Sequence, residues 1–502
     1  MRRRGWESDQ HRSALRRSLV VGAVGSSILT CVGALAGRLA VTPYLAGWML
    51  IRTTGKVPGD TALATGISML GLLLLTWAWV QIGRPSHHAS DRERLRTMRR
   101  AIVAWSAPLL IAPPLFSGDG WSYAATGLMV GRGLSPYEGG PVALGGPIVA
   151  AVNARWRDTP SPYGPLPLWL GGQVARLTED PWLQLYTFRM MAVMALALLV
   201  WALPRLAGRV GADPCRALWL GAGSPLVLAH GIGGMHLDLL MAALVAVALL
   251  VAADRSWVLA AVMVGLAASV KSPALAAAVG VTLLSLADAS LLARARRASG
   301  VVLVALTTVV LVGGFTGLGV GWIGGASAPL SYGTSLTPSY ELGRLVTLLS
   351  GVPLEAATKV AGVLVLICLA IAILLRAPVA VADTAVTRQS ALRWGVVVLV
   401  LALALSPLVH YWYAFWCLPL LACLQLSPRA AATTWNASLV LGVIAPLDPG
   451  LHIPGTANVA VGAVVGSLLL GLCGWRIGGR APDSQTASGP VPDLARGTPN
   501  QT

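Results

Sequence analysis

Charge is what this sequence has least of. Only 11% of its 502 residues are Asp, Glu, Lys or Arg, against about 25% in a typical soluble protein. A water-facing surface cannot be assembled from so few, which excludes a soluble enzyme. Lysine is reduced to Lys56, Lys271 and Lys359, so any one of them inside an apolar run invites explanation. No C-x-x-C pair occurs among Cys31, Cys215, Cys368, Cys417, Cys423 and Cys473, and no H-x-x-H or cluster of acids appears. Zinc-site spacing is therefore missing, and the cysteines read as small hydrophobes that say nothing of redox compartment. Internal repeats are not evident.

What the chain has in abundance is apolar sequence, at 55% of residues and a mean hydropathy of +0.70. At about 20 apolar residues per crossing, this provides for a dozen or more helices and excludes a peripheral or single-pass protein. Apolar blocks and their Gly/Pro punctuation predict spans near 18–36, 61–82, 100–116, 189–207, 214–230, 235–253, 256–272, 273–291, 300–319, 357–375, 394–408, 411–427, 433–447 and 459–475. The expectation is an all-α polytopic fold of about 13–14 transmembrane helices. The Arg-rich start before residues 19–36 resembles a signal peptide, but without a clear A-x-A site it reads as a retained first helix. A multi-span domain over 1–480 is followed by a Pro/Gly/Ser/Thr-rich tail, 481–502, expected to be disordered.

The +17 net charge does not point to nucleic acid, because the arginines fall in short clusters between apolar spans. With a cytoplasmic N-terminus, 26 of the 37 basic residues fall in alternate loops on the inner side, leaving 11 outside. That asymmetry predicts both termini cytoplasmic. Two long outer segments follow, 117–188 and 320–356, and most of the distinctive polar and aromatic residues fall on this one face.

Several outer-face residues are candidates for chemistry. Asp119, in FSGDGWSY over 116–123, stands where the third span leaves the membrane. It suits a general base, and the alternative is a helix N-cap. Tyr163 lies in the Pro-rich stretch PSPYGPLP, either a rigid connector or part of a site. His236 and Asp238 follow a glycine-rich turn in HGIGGMHLDLLM. Residues two apart do not share a helix face, so a His–Asp dyad there requires a turning backbone, and helix capping is the alternative. Lys271, in AASVKSPA, either snorkels to the headgroups or has an anionic partner, for which a phosphate at the membrane surface would serve. Trp322, in a glycine-rich outer loop, suits sugar stacking or the interfacial aromatic belt. PLVHYWYAFW places His410 and Tyr413 at one outer turn.

Taken in order, FSGDGWSYAATGLMVGRGLSPYEGGPV, SPYGP, GGMHLDLLM, ASVKSPALA, GLGVGWIGG and SPLVHYWY resemble the polyprenol-phosphomannose-dependent α-1,6-mannopyranosyltransferases (MptB/MptA-like) of mycobacteria and corynebacteria. These are GT-C superfamily membrane glycosyltransferases that build the mannan backbone of lipomannan, and the likeness runs from about residue 100 to 420. It departs from the family pattern at Gly118, Leu237 and Tyr411, where the family has Arg, Asn and Pro. Asp238 in place of Glu leans toward the type that begins the backbone.

The resemblance implies a GT-C fold with an outward-facing active site, a polyprenyl-phosphate-mannose donor, and a mannoside or lipid-linked mannan acceptor. It implies Asp119 as the catalytic acid or base of the first outer loop. On that basis Asp119 is the base of an inverting transfer, and Lys271 stabilises the departing phosphate. Tyr163, His236, Asp238, Trp322, His410 and Tyr413 complete the substrate-binding set. A divalent cation shared by Asp119 and Asp238 is left undecided. Transfer of another polyprenyl-linked sugar is the nearest alternative, and a lipid or solute transporter the next. The absence of repeats and of ionisable residues at mid-span argues against a transporter.

Overall fold

A computed structural model describes residues 2–33, 44, 61–84, 90–331, 337–444 and 446. Predicted span 459–475, the predicted disordered tail, Lys56 and Cys473 lie outside them. Among the described residues every regular element is helical, and the protein is an all-α, multi-pass membrane protein.

Helices α1 (Arg2–Val32) and α2 (Thr61–Gly83) pack together and against α3 (Asp91–Leu109). Ser90 and Glu93 form a capping box at the head of α3, with both reciprocal bonds present. Pro113 and Pro114 follow its end, and no helix resumes until α4 (Asp119–Gly131). After short turns come α5 (Pro165–Ala175) and α6 (Pro181–Arg209), each with Pro in its first turn. Asp180 caps α6, accepting from the Trp182 and Leu183 N–H groups at 2.9 Å each. Gly127 of α4 meets Gly171 of α5 so closely that a Cβ on Gly127 would lie 3.2 Å from the Gly171 Cα, the small-residue contact that lets membrane helices approach.

Helix α7 (Pro214–Gly221), a π-helical turn (Leu226–Gly233) and α8 (Asp238–Ala253) follow. The π turn and α8 are bent by 117° at the Gly234–Leu237 break, where Met235 takes a positive φ of 58°. The remainder comprises α9 (Trp257–Ala268), a 3₁₀ turn (Ser272–Ala276), α10 (Ala277–Ser285), α11 (Leu291–Thr316), α12 (Pro338–Ser350), α13 (Glu355–Arg376), α14 (Ala385–Ala404), a 3₁₀ run (Tyr411–Trp416) and α15 (Pro428–Val443).

Several predicted apolar blocks are not single helices. Among the described residues six helices are long and apolar enough to cross a membrane, or seven if the bent pair is one span. Block 214–230 divides at Gly221–Pro225. Block 273–291 becomes the 3₁₀ turn plus α10, and 411–427 becomes a 3₁₀ run and a four-residue helix at Pro419. Helix α6 starts at Pro181 rather than 189 because the Asp180 cap and Pro181 fix its first turn. Clustered Gly, Ser and Pro break apolar sequence into short helices, each satisfied by burial inside protein. The five described cysteines are free.

Arg209, Arg255 and Arg294, all in predicted inner loops, lie at the end of α8 away from Asp238. Arg255, after the C-terminus of α8, donates to the Leu286 and Ala380 carbonyls and pairs with Asp383 at 3.3 Å. Arg209 pairs with Asp254, and Arg294 donates to the Leu374 and Ala377 carbonyls at 2.8 and 2.7 Å. Cations thus satisfy exposed carbonyls at helix C-termini.

Candidate active site

The site is built where breaks in the apolar helices converge. One cavity of ≈ 710 Å³ holds Asp119, Tyr123, Tyr163, Lys271, His410, Tyr413 and Trp416 at its polar end. Asp119, Ser122, Tyr123 and Thr126 present the i, i+3, i+4, i+7 face of α4 to it. From this end an apolar arm extends between α10, α11, α13 and α14. On α13 it is lined by Val363, Leu366, Ile367, Ala370, Ile371 and Leu374, again one helix face. From Val363 to Leu374, eleven steps along the helix, the rise is about 16 Å, which sets the length of the arm along α13.

Asp119 opens α4, and its side chain is 16% exposed. Its Oδ2 lies 3.4 Å from His236 Nδ1 and accepts from the Tyr123 hydroxyl at 3.4 Å. Tyr123 and Tyr163 hydroxyls are 2.9 Å apart, and the Tyr163 carbonyl accepts from Tyr137 at 3.0 Å. Burial by itself raises the Asp119 carboxyl. His236 beside it, with His410 and Lys271 further off, outweighs that and holds it below the ordinary 3.8. Asp119 is therefore a carboxylate at neutral pH, able to accept a proton from a group in the cavity. Burial pushes the His410 imidazolium down to about 4, so His410 is neutral there.

His236 does not reach the cavity wall. It is fully buried behind Asp119 and stacks on Trp412, ring centroids 3.7 Å apart, and Trp412 stacks on His410 at 4.5 Å. Asp238 is also fully buried and off the wall. Its Oδ1 accepts from Lys271 Nζ and from Trp416 Nε1, each at 2.7 Å. A buried carboxylate needs such partners, and its place at the N-terminus of α8 adds favourable dipole interaction. Lys271 therefore has a protein anion as its partner. Its Nζ also faces the rings of Tyr413 at 3.9 Å, Tyr163 at 5.1 Å and Trp416 at 5.6 Å.

Five of the eight expected site residues, Asp119, Tyr163, Lys271, His410 and Tyr413, line the cavity. His236 and Asp238 stand one layer behind it, each paired with a residue that does line it. They do so separately because residues two apart at the head of a helix point to different sides. Trp322 is partly buried beside the core while its neighbour Ile323 lines the cavity. The expected site set did not include Trp416, Tyr123 or Ser122, which also line the cavity. Tyr123 and Ser122 were detectable as the i+4 and i+3 neighbours of Asp119, whereas Trp416 was hidden among belt-like aromatics. Asp119 and Asp238 have different partners, His236 and Lys271, and among the described residues no group of three or more His, Cys, Asp and Glu is arranged to hold a metal ion.

Comparison with known proteins adds a second line of evidence. A family model described as alpha-(1->6)-mannopyranosyltransferase, N-terminal domain, matches residues 19–288, more than half of the chain. Alpha-(1->6)-mannopyranosyltransferase A of Corynebacterium glutamicum is 36% identical over 222 residues, 42% of this chain and 45% of the relative. An alpha-(1->6)-mannopyranosyltransferase of Mycobacterium tuberculosis is 34% identical over 235 residues, 46% of this chain and 39% of its own length. Alpha-(1->6)-mannopyranosyltransferase B of C. glutamicum is 29% identical over 516 aligned positions, 91% of this chain and 81% of the relative. The chain thus spans less than half the length of two of these curated relatives. No solved structure matches.

Proposed function

The chain belongs to the alpha-(1->6)-mannopyranosyltransferase family, and from that premise we propose that it transfers mannose from polyprenyl-phosphate-mannose to an α-1,6-mannan acceptor with inversion. The observation that carries this reading is one cavity joining a carboxylate and a lysine to an apolar arm. The polyprenyl tail lies along the arm against α13. The sugar phosphate then meets the polar end, where the Lys271 ammonium faces the charge on the phosphate.

In the transfer, Asp119 takes the proton from the acceptor hydroxyl as that oxygen bonds to the mannosyl C1. The bond from C1 to the phosphate oxygen breaks on the opposite face, so a β-linked donor gives an α-linked product. Polyprenyl phosphate leaves as an anion and needs charge stabilisation more than a proton, which Lys271 supplies in a largely apolar surround. Tyr123 and His236 hold the base in place. Tyr163, Tyr413 and His410 form the walls against which sugar and phosphate pack, and Trp322 supports the loop beside Ile323. The polar end faces outward and both termini are cytoplasmic, following the arginine asymmetry.

The test is transfer by the purified full chain from polyprenyl-phosphate-mannose to a short α-1,6-mannoside, alongside other polyprenyl-linked sugars. An α-linked product from the mannosyl donor is expected. Preference for arabinose or glucose would replace the donor sugar in this reading. Movement of lipid across liposomes without transfer would make the protein a transporter.

A further inference from the structure

We propose that Asp238 and Trp416 form a positioning pair that aims Lys271 at the lipid-linked phosphate. This rests on the phosphate-binding part of the preceding reading. Asp238 is fully buried and absent from the cavity wall, so it touches no substrate. Its Oδ1 receives both the Lys271 ammonium and the Trp416 indole N–H at 2.7 Å.

An ammonium carries three N–H donors. One is taken by Asp238, and the rings of Tyr413, Tyr163 and Trp416 surround the group. Tyr413 and Trp416 are themselves stacked, 4.7 Å between centroids. The remaining N–H groups are thus directed by their surroundings, and Lys271 lines the cavity with its side chain 8% exposed. A flexible four-carbon stem becomes a fixed point charge. The pair also keeps a buried cation compensated when no donor is bound.

Positioning and simple electrostatics make opposite forecasts. An anion beside Lys271 subtracts from its attraction for phosphate, so electrostatics alone says that Asp238→Asn strengthens phosphate binding. If the role is to aim the ammonium, the same change weakens it.

The experiment is isothermal titration of the purified full chain in detergent with farnesyl phosphate. Asp238→Asn should lose about tenfold in affinity, the scale of one charge-assisted hydrogen bond, and Asp238→Glu should recover part of it. Lys271→Met should lose at least as much. The double variant, which restores neutrality, should bind no worse than Lys271→Met alone, because Asp238 acts through that cation. Unchanged or tighter binding by Asp238→Asn overturns the proposal, as do multiplied losses in the double variant. So does failure of the unaltered protein to bind farnesyl phosphate. If Asp238→Asn does not give monodisperse protein, Trp416→Phe carries the same expectation at about threefold, for the loss of a neutral donor, and an unchanged affinity there overturns it. An unaltered protein that binds farnesyl phosphate and transfers no mannose refutes the mannosyltransferase reading and leaves this proposal standing.

Discussion

Asp119→Asn separates the proposed base from the groups around it. Asparagine keeps the size of the side chain and an oxygen that can accept from Tyr123, but it takes up no proton at working pH. A positioned general base is worth about 10²–10⁴ in rate, so kcat should fall by that factor, about 3–5 kcal/mol of barrier. Donor binding should move the other way. Asp119 lowers the positive potential of a cavity end that holds Lys271, and its neutralisation leaves that end more attractive to a phosphate. The donor KM is therefore expected to stay level or fall while kcat collapses.

The pH profile gives a second readout. The Asp119 carboxyl is held below 3.8, so the base-competent carboxylate is present above that value and is lost as pH falls through the lowered one. The acid limb of kcat/KM should lie below 3.8 and be absent from the residual activity of the Asn variant. The assay is mannose transfer in detergent or nanodiscs, with melting temperature as the check on folding. A folded Asn variant within tenfold of the unaltered kcat would refute the base assignment, and so would a loss confined to donor KM.

Two further predictions concern the groove and the loop that frames it. Ala370, on the α13 face lining the apolar arm, replaced by Trp should raise the KM of a long-tailed donor about tenfold, the scale of an overpacked site. A donor truncated to one isoprene unit should be spared, and an equal effect on both would show that the tail does not lie there. Gly164→Ala should destabilise by about 1–3 kcal/mol, read as a lower melting temperature. The Gly164 N–H donates to the Val270 carbonyl at 2.9 Å, and a Cβ there would strike the Ser269 backbone. An unchanged melting temperature would mean that the 163–165 turn is not clamped to the Ser269–Val270 strand of chain.

The cavity's polar end was largely legible in the sequence because each ionisable residue in so apolar a chain stands out. Asp119 and Lys271 were conspicuous by scarcity, and the structure puts both on one cavity. The pairing of His236 with Asp119 and of Asp238 with Lys271 was not legible. It depends on a bend of 117°, and a hydropathy pattern carries no angle. The apolar arm was hidden for a different reason. In a soluble protein a buried face differs in polarity from an exposed one, but along α13 the side chains that line the cavity and those that meet lipid are equally aliphatic. Trp416 was concealed likewise, since a hydrogen-bonded indole and a belt tryptophan look the same in sequence. The internal breaks of two predicted spans were not legible either, because an apolar block reads as one crossing although Gly221–Pro225 and Pro419 cut it.

Helix α13 is only 11% buried along its hydrophobic window, against 56% for α6, yet its inner face forms one side of the apolar arm. Among the described residues, one layer of helix therefore stands between that arm and the outside of the bundle. For the lipid-linked donor proposed above, a sideways path past that one helix keeps the hydrocarbon tail out of water throughout.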